Sequence, residues 1–330
     1  MDNLSHALLG AAVTQAVFTG KIPGRVWLIG CVAGLFADID AFFLFSTDNL
    51  RNLLWHRHFT HSLLMIPIGG LLTALPFIFV EPYKRHRIPV VTATLMGFTS
   101  HSFLDIFTSY GTLIFWPFSY RRIALDYIAI VDPVFTLILL IGVIWAAVKT
   151  VRTPALLALF IAGLYMVFGW WQHERANSIQ LQLAHRRGHE ITRGRLFPSF
   201  GNLVLWRSLY QSGNFLYADG VVVPFWKPAY PLEGASTPII ISENVPEAQQ
   251  NPGFKLALER LSWFADGYLA RVPTQPEIIG DMRYSIRVAE FSPLWGIRPA
   301  SDTGFIYEHL KWKSVHFFDE INKHLRDALF

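Results

Sequence analysis

The chain is organised around residues 56–62, which read His-Arg-His-Phe-Thr-His-Ser. Three imidazoles and one guanidinium fall within this stretch, and an apolar run follows at once over residues 63–80. Such a cluster costs free energy to bury and packs poorly against apolar neighbours. Its place at the mouth of an apolar segment therefore predicts a binding role for His56, Arg57, His58 and His61.

Residues of matching chemistry stand in three other places. His6 opens the first apolar run, Asp38 and Asp40 are two apart, and His101 and Asp105 are four apart. Residues four apart on a helix lie one turn above each other on the same face. Imidazole is the commonest protein ligand of zinc, and carboxylates also bind divalent ions. These stretches together predict a shared metal site.

The composition indicates an integral membrane protein with a soluble part. Of the 330 residues, 52% are hydrophobic and 16% are charged, whereas roughly a quarter are charged in soluble globular domains. The net charge of +4 does not indicate nucleic-acid binding, because the cations stand at the ends of apolar runs. The single cysteine, Cys31, excludes an internal disulfide and a Cys-based zinc site.

Six apolar runs predict an α-helical polytopic membrane bundle of about six transmembrane helices. The runs cover residues 5–19, 26–45, 62–80, 88–108, 128–148 and 154–171. The N-terminus lacks a basic segment and a cleavage site, so we expect a retained first helix. Small residues, such as Gly30 with Gly34 and Gly69 with Gly70, predict close approach between helices.

Lysine and arginine counts predict the orientation in the membrane. The loops at 20–25, 81–87 and 149–153 hold seven of these residues, and the loops at 46–61 and 109–127 hold four. We therefore expect the first set in the cytoplasm and the C-terminal domain on the external, periplasmic side of the inner membrane. In this threading all candidate ligands lie near one membrane face.

Beyond residue 171 the pattern becomes that of a soluble protein. We expect a transmembrane domain at 1–171, a juxtamembrane helix at 172–188 after the interfacial pair Trp170-Trp171, and a small soluble α+β domain at 189–330. Gly188 is expected to end the juxtamembrane helix. Strands are predicted near 203–207, 215–217, 221–223, 238–241 and 284–288, and helices at 254–264 and 316–329.

The motifs resemble those of the YdjM-like family of inner-membrane proteins, regarded as metal-dependent hydrolases. The resemblance covers residues 1–135 and implies metal or catalytic roles for His6, Asp38, Asp40, His56, His61, His101 and Asp105. The motifs that carry it are Ser5-His6, Ala37-Asp38-Ile39-Asp40, His56-Arg57 with Thr60-His61-Ser62, and Ser100-His101 with Asp105, followed by Thr108, Gly111 and Trp116-Pro117.

Two positions depart from the pattern of that family. Ala37 stands where the family usually has proline, and His58 stands where it usually has glycine. The second departure leaves two readings open, because His58 is either an extra ligand or an accommodated substitution.

These observations predict a membrane-bound hydrolase with one or two divalent metal ions, zinc in first place. The expected metal ligands are His6, Asp38, Asp40, His58, His61, His101 and Asp105. Catalytic work is assigned to His56 and Arg57, and Arg57 is read either as a clamp for a substrate phosphate or as a headgroup anchor. Arg121 or Arg122 is a further candidate to hold an anionic group.

A site at the level of the lipid headgroups favours an ester or phosphoester of a phospholipid or related amphiphile as substrate. The bilayer is the expected partner, nucleic acid is not, and a protein partner of the C-terminal domain stays unknown. Purely structural roles are the alternatives: His101 and Asp105 form a hydrogen-bonded pair, and Asp132 is a helix N-cap. The rival functions are a metal or proton transporter and a scaffold with a structural metal.

Overall fold

A computed structural model describes residues 1–40, 48–285, 287–302 and 304–310. These residues fall into two units, one with most of the chain up to Trp170 and the other with most of the chain from Trp171 onward. The first unit is helical and the second is built mainly from strands. The predicted closing helix at 316–329 and the end of the apolar run at 26–45 lie outside the described residues.

Seven α-helices precede the strands in the described part of the chain. Three short 3-10 turns interrupt these helices, Ala37–Ile39, Phe59–His61 and Tyr83–His86, and the first two carry Asp38 and His61. The helices are α1 (Asn3–Phe18), α2 (Val26–Phe36), α3 (Asn49–Trp55), α4 (Met65–Ile78), α5 (Arg87–Ile106), α6 (Pro133–Lys149) and α7 (Thr153–Arg186).

Small residues allow the first helices to pack closely. A Cβ atom on Gly10 would overlap the carbonyl of Gly30, and one on Gly34 would overlap the carbonyl of His6, so α1 and α2 approach backbone to backbone. A Cβ atom on Gly69 of α4 would overlap the Phe98 ring of α5. The close approaches predicted at Gly34 and Gly69 are therefore confirmed.

Local capping fixes where several helices begin and end. Asp132 caps α6 by accepting hydrogen bonds from the backbone of Val134 and Phe135, with Pro133 in the first turn, so the N-cap reading is confirmed. Helix α7 ends just before Gly188, which adopts a left-handed conformation with φ 70°, as predicted. Residues 172–186 are continuous with the apolar part of α7 and do not form a separate helix.

The prediction of a six-span bundle is wrong. Among the described residues only α7, with 34 residues, is long and apolar enough to cross a bilayer. The count rises to two if Asn49–His61 and Met65–Ile78, which meet at an angle of 86°, are taken as one broken span. A bilayer core of about 30 Å needs about 20 helical residues.

The apolar runs overestimate the helices because chain breaks fall inside them. Helix α2 has 11 residues before the turn that carries Asp38, and α4 has 14 within a run predicted to span. Helix α1 has 16 and α6 has 17. Helix α5 has 20 residues, but it includes Arg87, His101 and Asp105, and it is not among the apolar candidates.

Large apolar side chains nevertheless cover the outer faces of several helices. Leu71 of α4, Ile141 and Val148 of α6, and Phe160 of α7 are all more than half exposed. Soluble monomers rarely expose contiguous apolar surfaces of this kind. These faces have the character expected of lipid contact.

The second unit holds two four-stranded antiparallel sheets, ordered β1-β2-β3-β4 and β5-β6-β7-β8. Two short helices, α8 (Pro246–Gln250) and α9 (Pro252–Phe264), lie between the sheets in sequence. The strands are β1 (Arg193–Pro198), β2 (Leu205–Ser212), β3 (Phe215–Val222), β4 (Tyr230–Pro238), β5 (Leu269–Val272), β6 (Gln275–Asp281), β7 (Trp295–Ala300) and β8 (Gly304–His309).

The predicted strands match this sheet structure in part. The two short strands expected at 215–217 and 221–223 fall on the single strand β3, which ends at Val222. The strand expected at 238–241 shares only Pro238, the last residue of β4. The strand expected at 284–288 is reduced, in the described residues, to a bridge between Ser285 and Pro293. The helix predicted at 254–264 is confirmed as α9.

Candidate metal centre

Four segments of the helical unit bring histidine and aspartate side chains into one buried cluster. The first turn of α1 carries His6, and the 3-10 turn after α2 carries Asp38 and is followed by Asp40. The segment between α3 and α4 carries His56 and His61, and the last turns of α5 carry His101 and Asp105. The packing of α1, α2 and α5 brings these side chains together. The predicted six-span bundle, with all candidate ligands near one membrane face, does not explain it.

The centre of the cluster is a pair of imidazoles whose Nε2 atoms lie 2.9 Å apart, on His61 and His101. His101 Nδ1 donates to the carbonyl of Gly34 at 2.5 Å, and His61 Nδ1 donates to Thr60 Oγ1 at 2.9 Å. With both Nδ1 atoms protonated, the two Nε2 lone pairs face each other and repel unless a cation or proton lies between them. Metal-ligating histidines are commonly oriented in this way through their second nitrogen.

Two carboxylates complete the surroundings of this imidazole pair. His61 Nε2 lies 3.3 Å from Asp38 Oδ1 and 3.3 Å from Asp105 Oδ2. His101 Nε2 lies 3.5 Å from each of the same oxygens. Ligand atoms of a tetrahedral zinc site lie about 3.3 Å apart, given bonds of about 2.0–2.1 Å. The donor separations therefore fit a zinc-sized ion.

His6 lies beside Asp105 on the side of α1. Its ring stacks on the His101 ring at a centroid distance of 3.6 Å, and its Nε2 lies 3.0 Å from Asp105 Oδ1. The α-amino group of Met1 also contacts Asp105 Oδ1. His6, His101 and Asp105 are fully buried, so their side chains contact one another instead of water.

A second group of donors lies around Asp40. Thr60 Oγ1 donates to Asp40 Oδ2 at 3.0 Å, and the backbone N–H of Arg57 donates to the same oxygen at 3.2 Å. His56 Nδ1 lies 3.5 Å from Asp40 Oδ1, and the His56 side chain is 32% exposed. This group is therefore the part of the cluster that opens to solvent.

Three overlapping groups have donor atoms within 4.8 Å of one another. Two of them, His6 with His101 and Asp105, and Asp38 with Asp40 and His56, have no residue in common. The third group links them and consists of Asp38, His61 and His101.

Several atoms of the cluster are buried without a hydrogen bond of good geometry in the described structure. These atoms include both ring nitrogens of His6, Asp38 Oδ1, Asp40 Oδ1, Asp105 Oδ2 and the Arg57 Nε that lies 3.1 Å from it. An unsatisfied buried carboxylate oxygen is costly, and such atoms are rare in folded proteins. Together with the donor set, they fit a bound divalent cation.

The protonation states show the electrostatic character of the cluster, which lies outside α7. Burial lowers the pKa of His101, but the hydrogen bonds and charges of Asp105 and Asp38 outweigh it and raise that pKa to about 9. Burial alone would raise the pKa of Asp105, but the charges of Arg57, the α-amino group and His6 hold it well below its ordinary value. The cluster thus attracts positive charge at neutral pH.

Arg57 is not available as a clamp for a substrate phosphate. The residue is 2% exposed, its Nε lies 3.1 Å from Asp105 Oδ2, and its Nη1 donates to Thr108 Oγ1 at 2.8 Å. Arg122 donates to the carbonyls of Gly111 and His56 at 2.8 and 3.0 Å, whereas Arg121 is exposed. The buried guanidinium of Arg57 and the half-buried one of Arg122 therefore both hold protein groups.

His58 is not brought together with the other donors. Its ring stacks on Trp55 at 5.0 Å and faces Phe59 and Trp116 at 6.3 and 6.0 Å. This arrangement agrees with an accommodated substitution at the position where the family usually has glycine.

Sequence reasoning missed the residues that support the donors. Thr60 and Thr108 stand in the quoted motifs, but their spacing gives no sign of the hydrogen bonds that they make. The Tyr110 ring lies 5.0 Å from the Arg57 guanidinium, 5.5 Å from that of Arg122 and 5.3 Å from the His56 ring. Only tertiary packing brings these groups together.

A helical unit with apolar outer faces around a buried His/Asp cluster defines a membrane protein with a candidate metal centre. Residues 1–176 match the profile of the YdjM inner membrane protein family, and the chain belongs to this family. The match includes every residue of the cluster.

The uncharacterised protein YfhP of Bacillus subtilis (strain 168) is 30% identical over 179 residues. The aligned part is 51% of this chain and 53% of YfhP, so the chain spans just over half the length of that relative. No solved structure matches the chain.

Proposed function

We propose that the protein is a membrane-bound, metal-dependent hydrolase. The observation that carries the proposal is the pair of Nε2 atoms 2.9 Å apart on His61 and His101, each imidazole oriented by a hydrogen bond through its other nitrogen. Such a pair, with carboxylate oxygens at 3.3 to 3.5 Å, is the donor arrangement that a divalent ion needs.

The donor set supports zinc as the metal and has room for two ions. Imidazole with carboxylate suits zinc better than magnesium or calcium, which prefer oxygen ligands. His6, His101 and Asp105 would hold one ion, and Asp38, Asp40 and His56 a second, because these groups are disjoint. His61 would face both ions, because its Nε2 lies 3.3 Å from Asp38 Oδ1 in one group and 3.3 Å from Asp105 Oδ2 in the other.

A divalent ion in this place supplies Lewis-acid polarisation of an ester or phosphoester and activation of water for its hydrolysis. The chain itself orients the donors: Arg57 holds Asp105, Thr60 holds Asp40 and His61, and Gly34 holds His101. His56 lies on the open side and would meet the substrate there.

An ester or phosphoester of a phospholipid or related amphiphile is the substrate class that we propose. Membership of an inner-membrane family supports a substrate that lies in or at the bilayer. His58, two residues from His56, lies among the aromatic rings of Trp55, Phe59 and Trp116. Aromatic side chains are enriched at the level of lipid headgroups.

We further propose that the segment around residue 85 faces the cytoplasm and that the C-terminal domain lies outside. Lys84 and Arg85 are exposed beside Arg87, and α7 is the candidate span between this segment and the strands. Reporter fusions at residues 85 and 250 should then give opposite signals, cytoplasmic and external. The same signal from both fusions would contradict this orientation.

The hydrolase proposal is tested with detergent-purified full chain and a panel of ester and phosphoester amphiphiles. We expect hydrolysis that a chelator abolishes and added zinc restores. His61→Gln should lose it, since an amide can keep the contact to Thr60 but is a poor zinc ligand. His58→Gln is the matched control and should stay active.

Two outcomes would contradict this function. Equal hydrolysis by His61→Gln and the wild type would remove the cluster from the reaction. Metal-loaded protein inactive on the whole panel would favour a transporter or a structural metal.

A further inference from the structure

The loop at residues 224–228, between β3 and β4, presents an exposed aromatic and cationic tip. Trp226 is 92% exposed, which is the highest value among the large hydrophobic side chains that the structure describes. Lys227 and Pro228 beside it are also exposed. A tryptophan left this far in water costs free energy, because its indole is largely apolar.

This loop is fastened to α7 by Arg175. The guanidinium donates through Nη1 to the carbonyl of Pro224 and through Nη2 to the carbonyl of Lys227, both at 2.8 Å. Its Cζ also lies 4.7 Å from the centre of the Trp171 ring. The two ends of the tip are therefore bound to one turn of α7.

Gln172, in the same turn of α7, strengthens this attachment. Its Nε2 donates to the carbonyls of Leu203 and Val223, at 3.0 and 2.9 Å, and its Oε1 accepts from Arg175 Nη1 at 2.7 Å. Gln172 is fully buried, so these contacts are not exchanged for water. The end of β3 is thus held at a defined position along α7.

That position is the end of the candidate membrane span. Helix α7 is the one described helix that is long and apolar enough to cross a bilayer by itself, and its apolar run stops at Trp170-Trp171. Tryptophan pairs at the end of a span typically lie among the lipid headgroups. The turn that fastens the loop contains Trp171 and Arg175, so the loop lies at the same level.

We propose that residues 224–228 insert into the headgroup region of the bilayer. Trp226 would lie between the headgroups, and the Lys227 ammonium would pair with lipid phosphate. The contacts from Arg175 already satisfy two loop carbonyls, so insertion does not leave them unpaired. The proposal concerns membrane docking of the second unit and is independent of the proposed hydrolysis.

The test measures how deeply position 226 lies in the membrane. The full chain carries Cys31→Ser, so that a single cysteine at Trp226→Cys can bear a polarity-sensitive fluorophore, and it is reconstituted in phosphatidylcholine–phosphatidylglycerol vesicles. Phe215→Cys is the matched control, because Phe215 is 44% exposed at the other end of β3. Strand β3 alone, from Phe215 to Val222, is about 23 Å long at about 3.3 Å per residue.

We expect the label at 226 to show blue-shifted emission, quenching by spin labels carried on the lipid headgroups, and protection from iodide. The label at 215 should be quenched by iodide and little affected by the lipid quencher. Equal quenching of the two labels by iodide, or equal quenching of the two labels by the lipid quencher, would overturn the assignment of this loop as a docking element.

Discussion

At the scale of single residues, Arg57 is the residue whose interpretation differs most between sequence and structure. Its neighbours in sequence suggest a guanidinium turned towards a ligand, but its side chain pairs with Asp105 and its backbone N–H binds Asp40. The residue adopts a left-handed conformation with φ 57°, which is uncommon for a side chain of this size. Arg57 thereby ties the two disjoint donor groups together.

This role makes a prediction about stability. In chelator-treated protein, Asp105→Asn removes a counterion of the buried Arg57 and should cost about 3–5 kcal/mol of unfolding free energy. Asp105→Asn combined with Arg57→Met should be less destabilised than Asp105→Asn alone, because no unpaired cation is left. Denaturant unfolding in detergent measures both values.

The single variant Arg57→Met is the control, because it completes the double-mutant cycle. Additive losses in the double variant would mean that Arg57 and Asp105 contribute separately and that Arg57 does not hold the carboxylate.

The donors were largely predictable at this scale, while their supports were not. His101 and Asp105 follow from helical spacing, and Asp132 follows from cap chemistry with Pro133 behind it. Thr60, Thr108 and Tyr110 act through contacts across the fold, which no local pattern encodes. For His58 the sequence left two readings, and only packing against Trp55 separates them.

At the scale of helices, apolar run length was a poor guide. A run reports which residues avoid water but does not report where the backbone turns, and the turn after α2 falls inside a run. Paired glycines were a better guide, since a missing Cβ atom specifies where two helices touch. Through such a contact the His6 carbonyl of α1 lies against Gly34 of α2, four residues before Asp38.

We expect Gly10→Ala to disturb this contact. The new methyl group would overlap the Gly30 carbonyl and push α1 from α2, at a cost of about 1–3 kcal/mol. Gly163→Ala on α7 is the matched control, because no atom lies within 4 Å of its Cβ position. Thermal unfolding and zinc affinity of both variants check the result, and equal behaviour would show that the close packing does not position the cluster.

At the scale of the whole molecule, the family match and the cluster both lie in the first half of the chain. The match ends at residue 176, so the sheets of the second unit are outside it. Local patterns located several of their strands but not the pairing order, which depends on contacts between distant residues. The chemistry that we propose therefore belongs to the helical unit, and the second unit is assigned here only a membrane-docking loop.

The central claim is that the His/Asp cluster binds divalent metal. Metal analysis of the purified full chain tests it most directly, with Asp132→Asn as a control, since that buried carboxylate lies outside the cluster and asparagine is also a good N-cap. We expect zinc bound to the wild type and to the control, removal by chelator with a lower unfolding temperature, and loss in His101→Gln. A folded wild-type chain that holds no divalent metal after growth and titration with zinc would contradict the account.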